Sequence, residues 1–157
     1  MISYGCSEKW IILILLFIDP LAVDENTSLT YTNDDIRLCT IQRVTPGEIL
    51  GLFLHYHRHE RFHYIKLNDD DYKSTLAYRA GIRPFDRIIE FDGINIEQHP
   101  HDDLKKIFDD PNILFFHMLV CSPATYAYYK TNKKHLHSNL DTIRRLKPVH
   151  DIASKFE

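Results

Sequence analysis

Short apolar runs alternate with turn signals over residues 36–123, and this alternation limits what the chain can fold into. Six runs have the β-branched and apolar composition of strands, at residues 36–43, 50–56, 62–67, 86–91, 94–96 and 113–121. Helices are predicted at residues 74–80, before Gly81, and at residues 100–109. Because strands and helices are mixed and several strands are joined by short loops, we predict an α+β domain with a partly antiparallel sheet or small barrel capped by two helices.

The residues before this domain differ from it in composition. Residues 1–23 contain the unbroken apolar run WIILILLFI at 10–18, which is shorter than the roughly 20 residues that a membrane-spanning helix needs. Three interpretations of residues 1–23 stay open: a signal peptide, a membrane-proximal anchor, and an apolar extension that packs on the domain or stays disordered. Residues 24–35 are polar and acidic, which predicts a linker.

A basic tail follows the domain. Residues 124–157 carry seven Lys and Arg against three Asp and Glu. Residues 138–141 (SNLD) resemble a helix capping box with Asp in the place of Glu, and apolar residues follow at helical spacing. We therefore predict a short helix near residues 139–147. The tail could dock on the domain, bind a partner or contact an anionic surface.

Composition argues against several classes of function. Hydrophobic residues make up 44% and charged residues 26% of the 157 residues, and the net charge of −3 gives no reason to expect a nucleic acid as partner. Three widely spaced cysteines without a CxxC pair favour a reducing compartment, so we expect a cytoplasmic protein. No nucleotide-binding, serine-hydrolase or zinc-protease motif occurs in the sequence, so we expect neither enzyme activity nor a cofactor. Only a partner, or residues 1–23, would bring the chain to a membrane.

Four short motifs, in the right order and at compatible spacings, resemble those of the PDZ domain family. They are the loop Ile49-Leu50-Gly51-Leu52, the stretch AGIRPFDRII at residues 80–89, the turn Asp92-Gly93, and the helix start Pro100-His101-Asp102-Asp103. The resemblance covers residues 36–123. It implies a PDZ-like, partly open β-barrel or sandwich of five to six strands capped by two helices.

The resemblance implies a non-enzymatic interaction module that binds the C-terminal peptides of partner proteins by adding them as a strand to a sheet edge. The candidate peptide-binding residues are Leu50, Gly51, Leu52, Phe53, Leu54, His101, Lys105 and Phe108. The amides of Leu50, Gly51 and Leu52 would bind the terminal carboxylate, and Gly51 would leave room for its close approach. The main chain of residues 51–54 would pair with the peptide.

Side chains of the same set would select the ligand. An apolar pocket formed by Leu50, Leu52, Leu54 and Phe108 would take the last side chain of the ligand. His101 would accept a hydrogen bond from Ser or Thr two residues before the ligand's end, so ligands of the type Ser/Thr-x-apolar are expected. Lys105 would favour an acidic ligand residue.

The sequence departs from the family pattern at the groove, and these departures motivate a second interpretation. Ile49, Leu52 and Phe85 stand where the family has glycine, phenylalanine and glycine, and Glu48 places a negative charge beside the loop. Arg43 is expected to add positive charge at longer range. In the second interpretation the same fold serves as a dimerisation or docking surface.

A third interpretation is a histidine-based metal-binding protein. His55, His57 and His59 occupy alternate positions of a predicted strand, with His63 nearby, and alternate residues share a face. The run lies where a hairpin is expected to turn, however. We therefore expect an exposed hairpin end and no metal site.

Overall fold

The computed structural model describes residues 30–68 and 71–148. Its strands are β1 (Ile36–Gln42), β2 (Leu52–His57), β3 (Phe62–Leu67), β4 (Arg87–Phe91), β5 (Ile94–Asn95), β6 (Phe115–Cys121) and β7 (Arg144–Leu146). Its α-helices are α1 (Leu76–Arg79), α2 (His101–Asp109) and α3 (Pro123–Thr131), and a 3-10 turn at Tyr72–Ser74 precedes α1. The predictions for residues 1–23 lie outside the described residues. Within the described ranges, no helix has both the length and the apolar character that crossing a membrane requires.

All seven strands belong to one sheet that does not close into a barrel. The strand order is β2-β3-β4-β6-β1-β7, and β5 pairs with β4. β7 runs parallel to β1, whereas the other pairs are antiparallel. The prediction of an α+β domain with a partly open sheet is confirmed, and the described residues contain one strand and one helix more than expected. The order also places β2 at a sheet edge, where it pairs only with β3 among the described strands.

The sheet is covered on both faces. One face packs against α1 and α2 through buried residues, which include Ile41, Ile65, Ile88, Met118 and Val120 of the sheet and Leu76, Ala77, Leu104 and Phe108 of the helices. The other face packs against α3 and the segment after it through Ile36, Phe62, Ile89, Leu119, Tyr126, Tyr129 and Leu136. Burial of each large apolar side chain contributes about 1.5–3 kcal/mol relative to leaving it exposed. The sheet is therefore held between two apolar cores, one on each face.

The sequence of helix α2 shows which of its sides faces the sheet and where the helix begins. Leu104 and Phe108, four residues apart, are buried on its inner side, while Lys105 and Lys106 between them are exposed. Asp102 and Asp103 in the first turn complement the positive end of the helix dipole. The helix therefore lies with one apolar stripe against the sheet and its polar side in solvent.

The predicted helix near residues 139–147 is wrong. Residues Arg144–Leu146 form β7 and pair with Arg37, Leu38 and Cys39 of β1. The apolar residues that suggested one helical stripe pack on opposite faces of the sheet, because Leu140 and Ile143 join the second core whereas Leu146 joins the first. Pairing with an open sheet edge and burial on two faces outweigh a weak local helix signal.

The fold also continues past the boundary predicted at residue 123. Ser122 begins α3 instead of ending the domain, since its hydroxyl accepts a hydrogen bond from the N–H of Thr125. At the other end, part of the predicted linker is docked on α3. The ring of Tyr31 stacks on that of Tyr128 with centroids 3.7 Å apart, and Tyr129 Oη donates a 2.8 Å hydrogen bond to Asp34.

Candidate functional site: the groove between β2 and α2

A cavity of ≈ 600 Å³ lies between the edge strand β2 and helix α2. Seven of the eight residues that the sequence singled out line it, namely Leu50, Gly51, Leu52, Phe53, Leu54, Lys105 and Phe108. The eighth, His101, lines a second cavity of ≈ 410 Å³. Leu54 and His55 line both cavities, so the two are neighbours along one seam. We call this seam the groove.

The loop before β2 leaves hydrogen-bond donors free at one end of the groove. The carbonyl oxygens of Leu50 and Gly51 accept hydrogen bonds from the N–H groups of Ala77 and Asn68, at 3.0 and 3.3 Å. Within residues 30–68 and 71–148, the N–H groups of Leu50 and Gly51 have no hydrogen-bond acceptor. The loop is therefore anchored by its carbonyls, while successive N–H groups stay available, as in a backbone site for an anion.

Gly51 is required for a reason that differs from the sequence prediction. Its φ of +74° is in the left-handed region, and a Cβ there would overlap the side chain of Thr75. Thr75 begins α1, since its Oγ1 accepts a 3.3 Å hydrogen bond from the N–H of Tyr78. The contact with Thr75 is therefore a reason for glycine that the sequence did not indicate, and the prediction that Gly51 leaves room for a ligand stays a prediction.

Arg43 holds this loop against the end of α2. Its buried guanidinium donates hydrogen bonds to the carbonyl oxygens of Glu48, Phe108, Asp110 and Ile113, at 2.6–3.3 Å. Among the described residues it makes no ion pair with a carboxylate. Arg43 therefore stabilises the carbonyl end of α2 and contributes a positive charge to the wall of the groove. The expected charge of Arg43 is present, at closer range than the sequence indicated.

Glu48 also lies in the wall of the groove, but its side chain is engaged elsewhere. Its Oε2 accepts a 2.6 Å hydrogen bond from the N–H of Val44. The carboxylate is therefore tied to the turn that precedes the loop. Its negative charge still opposes an anion in the groove, whereas the guanidinium of Arg43 attracts one.

The apolar part of the groove belongs to the core at the same time. Leu50 and Phe108 are buried, and Leu52 and Leu54 are half-buried against them. Phe108 packs edge-on against Phe91, with centroids 5.4 Å apart, which fixes the ring at the floor of the groove. The apolar floor of the groove is therefore made by aliphatic and aromatic side chains of the core itself.

Lys105 has a partner within its own helix. Its Nζ donates a 2.7 Å hydrogen bond to Oδ2 of Asp109, which raises the pKa of Lys105. Both side chains are exposed, so this pair contributes little to stability. An acidic ligand residue would therefore have to compete with Asp109 for the ammonium group of Lys105, and the predicted preference for such a residue stays a prediction.

Three rings meet at the other end of the groove. The centroid of the His63 ring lies 5.7 Å from that of His101 and 4.7 Å from that of Tyr56. His63 is completely buried, and neither of its ring nitrogens has a hydrogen-bond partner in the described structure. Burial, followed by the neighbouring His101 and His99, lowers the pKa of His63 to about 4. Nδ1 of His101 is likewise buried and unpartnered in the described structure.

The sequence prediction missed the position of His63 beside His101, because it was grouped with the histidines of the hairpin. A signal was present, since His63 alternates with Ile65 and Leu67 and so shares their face of the sheet. His57 and His59 do lie near the hairpin, with ring centroids 6.2 Å apart. Across the described residues, the structure brings together no set of three or more His, Cys, Asp or Glu side chains able to hold a metal ion.

Comparisons with known proteins give low similarity throughout. No protein-family model matches the sequence, and a search of curated proteins finds no match. The crystal structure of TIP-1 wild type is 16% identical, with a TM-score of 0.49, and the match covers 64% of this chain and 99% of that chain. The PDZ domain from choanoflagellate SHANK1 bound to GIRK3 peptide is 17% identical, with a TM-score of 0.46, and the match covers 57% of this chain and 94% of that chain.

The architecture of this chain is PDZ-like on its own geometry. An edge strand lies beside a helix, and a loop with free amides precedes that strand. The four motifs lie before β2, between α1 and β4, at the β4–β5 turn and at the start of α2.

Proposed function

We propose that the chain is a non-enzymatic interaction module that binds C-terminal peptides of partner proteins by strand addition to β2. The observation that carries this proposal is the open edge of β2 beside α2, with the free N–H groups of Leu50 and Gly51 at its start. A peptide added there gains main-chain hydrogen bonds along β2. Its terminal carboxylate is bound by the free amides and attracted by the charge of Arg43.

The preferred ligand in this proposal ends in Ser/Thr-x-apolar. The floor formed by Leu50 and Phe108 suits an aliphatic last side chain, because it offers apolar surface and no hydrogen-bonding side chain. His101 suits a ligand hydroxyl at the other cavity. Because the contact area is small, we expect transient binding with a Kd of about micromolar, or about −8 kcal/mol.

Two versions of one peptide test the carboxylate mechanism. A fluorescein-labelled peptide ending in Thr-x-Val is measured by fluorescence polarisation as the free acid and as the C-terminal amide. We expect the free acid to bind at least about tenfold more tightly, since the amide loses the charged hydrogen bonds to Leu50 and Gly51. Equal affinity of the two peptides would contradict the proposal.

A specific observation also favours the second interpretation, in which the edge serves as a dimerisation surface. Ile49 and Phe53 are 78% and 57% exposed beside the open edge of β2, and an apolar edge strand can pair with another copy of the chain. Light scattering at several protein concentrations separates the two functions. A monomer that binds the free acid supports the peptide module, whereas a dimer that ignores both peptides supports the dimerisation surface.

As part of the same proposal, the protein acts as a cytoplasmic adaptor or scaffold. The described thiols, Cys39 and Cys121, are buried and unpaired, which is compatible with a reducing compartment. Fractionation of cells that express the tagged full chain tests the location. Recovery of the chain from the medium would contradict it.

A further inference from the structure

This inference concerns how His101 recognises a hydroxyl, and it rests on the proposed function. A neutral imidazole has one protonated nitrogen and one free lone pair. If the nitrogen of His101 that faces the groove is to accept a ligand hydroxyl, the other nitrogen must carry the proton. Nδ1 is buried, so Nε2 is the accepting atom and Nδ1 the protonated one. A buried N–H without an acceptor is unfavourable, so this tautomer needs a partner for Nδ1.

The imidazole of His63 lies beside that of His101. The rings of His63 and His101 have centroids 5.7 Å apart and planes inclined by 15°. Two imidazoles joined by an N–H···N hydrogen bond have centroids about 5 Å apart, given a bond of about 3 Å between the nitrogens. The two rings are thus close enough for such a bond once rotation of the side chains turns one nitrogen of each ring towards the other. The bond pairs Nδ1 of His101 and one nitrogen of His63, both of which are unpartnered in the described structure.

Other polar side chains surround the two rings. Groups that face the two rings are His55 and Tyr56 from β2, His99 from the loop before α2, and Asp102 and Arg58 beside the second cavity. Over the described ranges, none of them makes a hydrogen bond to the ring nitrogens of His63 or His101. Among these groups, His63 is the one that is completely buried with unpartnered ring nitrogens, like Nδ1 of His101.

A buried histidine at position 63 of β3 lowers stability, and a purely structural role does not explain why it is there. Ile65 and Leu67 occupy the same face of β3 and are buried with apolar side chains. A buried ring with two unpaired polar nitrogens is less stable than an aliphatic side chain of similar size. Departures from apolar patterning of this kind are expected at functional positions.

We propose that His63 is a positioning residue whose unprotonated nitrogen accepts a hydrogen bond from the Nδ1–H of His101, so that Nε2 of His101 accepts one from the hydroxyl of a ligand Ser or Thr. The chain of hydrogen bonds runs from the ligand hydroxyl to His101 and from His101 to His63. His63 stays uncharged and able to accept at neutral pH, because burial lowers its pKa to about 4. The same arrangement, with a buried acceptor that selects the tautomer of an exposed histidine, is common around metal-bound and catalytic imidazoles.

The tautomer of His101 is the direct test. The full chain is labelled with ¹⁵N-histidine, and long-range ¹H–¹⁵N spectra at pH 7.5 report which nitrogen is protonated, with signals assigned through the His101→Ala variant. We expect His101 to be protonated at Nδ1 in the wild type and to change to the Nε2-protonated form in His63→Leu. Protonation at Nε2 in the wild type, or at Nδ1 in both proteins, would overturn the proposal. The wild-type spectrum decides even if His63→Leu does not fold.

Ligand preference is the second readout. Two free-acid peptides that differ only in Thr or Val at the third residue from the end are compared by fluorescence polarisation. We expect the preference for Thr to fall about three- to tenfold in His63→Leu, with the affinity for the Val peptide unchanged, and to be retained in His63→Gln, whose side-chain oxygen is an acceptor. The exposed His59→Leu is the matched control and should behave as wild type.

The outcomes separate this inference from the proposed function. A wild type that binds neither free-acid peptide contradicts the proposed function, while the tautomer spectrum still tests the role of His63. A wild type that prefers Thr, together with a His63→Leu variant that keeps this preference undiminished, overturns the role of His63 and leaves the peptide module intact.

Discussion

Comparing Gly51 with Gly47 separates two reasons for glycine, a left-handed backbone conformation and a close contact with a neighbouring side chain. Both have φ near +80°, but a Cβ at Gly51 would overlap Thr75 whereas a Cβ at Gly47 would meet nothing within 4 Å. We expect Gly51→Ala to lower the free energy of unfolding by about 2–4 kcal/mol and Gly47→Ala by about 1 kcal/mol. Urea unfolding measures both losses. Equal losses would contradict the contact with Thr75.

Glu48 should weaken binding of a terminal carboxylate by like-charge repulsion. Replacement by glutamine keeps an oxygen that accepts from the N–H of Val44 and removes the negative charge. We expect Glu48→Gln to bind the free-acid peptide about two- to fivefold more tightly at low salt, because partly exposed charges interact by at most about 1 kcal/mol. Fluorescence polarisation at two salt concentrations measures this gain. Weaker binding of the free acid would show that Glu48 assists the ligand.

His63 should make stability depend on pH. Its pKa is lowered from the ordinary 6.5 to about 4 in the folded chain, so between these values the unfolded chain binds a proton that the folded chain does not. Stability is therefore lost as pH falls from about 6.5 towards 4, by about 3 kcal/mol from this group. Urea unfolding of wild type and His63→Leu at pH 7 and pH 4 isolates this term. A difference between the two proteins that does not change with pH would contradict it.

Phe85 shows how far single residues can be predicted from the sequence. It stands where the resembling family has glycine, and its φ of +65° keeps the left-handed backbone that glycine would adopt. The motif thus predicts the conformation although the side chain differs. The contact of Thr75 with Gly51, the carbonyls bound by Arg43 and the burial of His63 against His101 were not predicted, because each joins residues that are distant in sequence.

Strands and helices between residues 36 and 121 were predictable because local signals agree with the tertiary structure. The apolar and β-branched composition of residues 62–67 predicted β3, and the Asp92-Gly93 turn predicted the β4–β5 hairpin. The apolar stripe of Leu104, Ile107 and Phe108 predicted α2. Beyond residue 122 the local signals disagree with the packing. A capping-like sequence suggested a helix, whereas the open side of β1 pairs with Arg144–Leu146. No local pattern in the tail indicates that Arg144–Leu146 will pair with β1, because this pairing joins residues that are distant in sequence.

Leu136 tests whether the tail is part of the folded domain. Its side chain is buried in the core beneath α3, and neighbouring His135 is exposed. We expect Leu136→Ala to lower the free energy of unfolding by about 2–4 kcal/mol and His135→Ala to have no measurable effect. Thermal or urea unfolding of the full chain provides the comparison. Equal stability of the two variants would mean that the domain ends near residue 123, as the sequence alone predicted.

In the whole molecule, the two covered faces of the sheet leave the groove at one edge. Helix α3 with Leu136, Leu140 and Ile143 buries one face, α1 and α2 bury the other, and β7 occupies the far edge of the described sheet. The edge of β2 is therefore the part of the described sheet that can accept a further strand next to an apolar floor. A rigid scaffold of this kind changes little on binding, so we expect effects confined to the groove.

The most direct measurement is a ¹H–¹⁵N correlation titration of the full chain with the free-acid peptide ending in Thr-x-Val. The account predicts that the largest amide shifts fall on Leu50, Gly51 and residues Leu52–His57, with smaller shifts along α2. Amides of α3 and β7, which lie away from the groove, should not move. Shifts that cluster on α3 or β7, or no shifts at saturating peptide, would contradict the account.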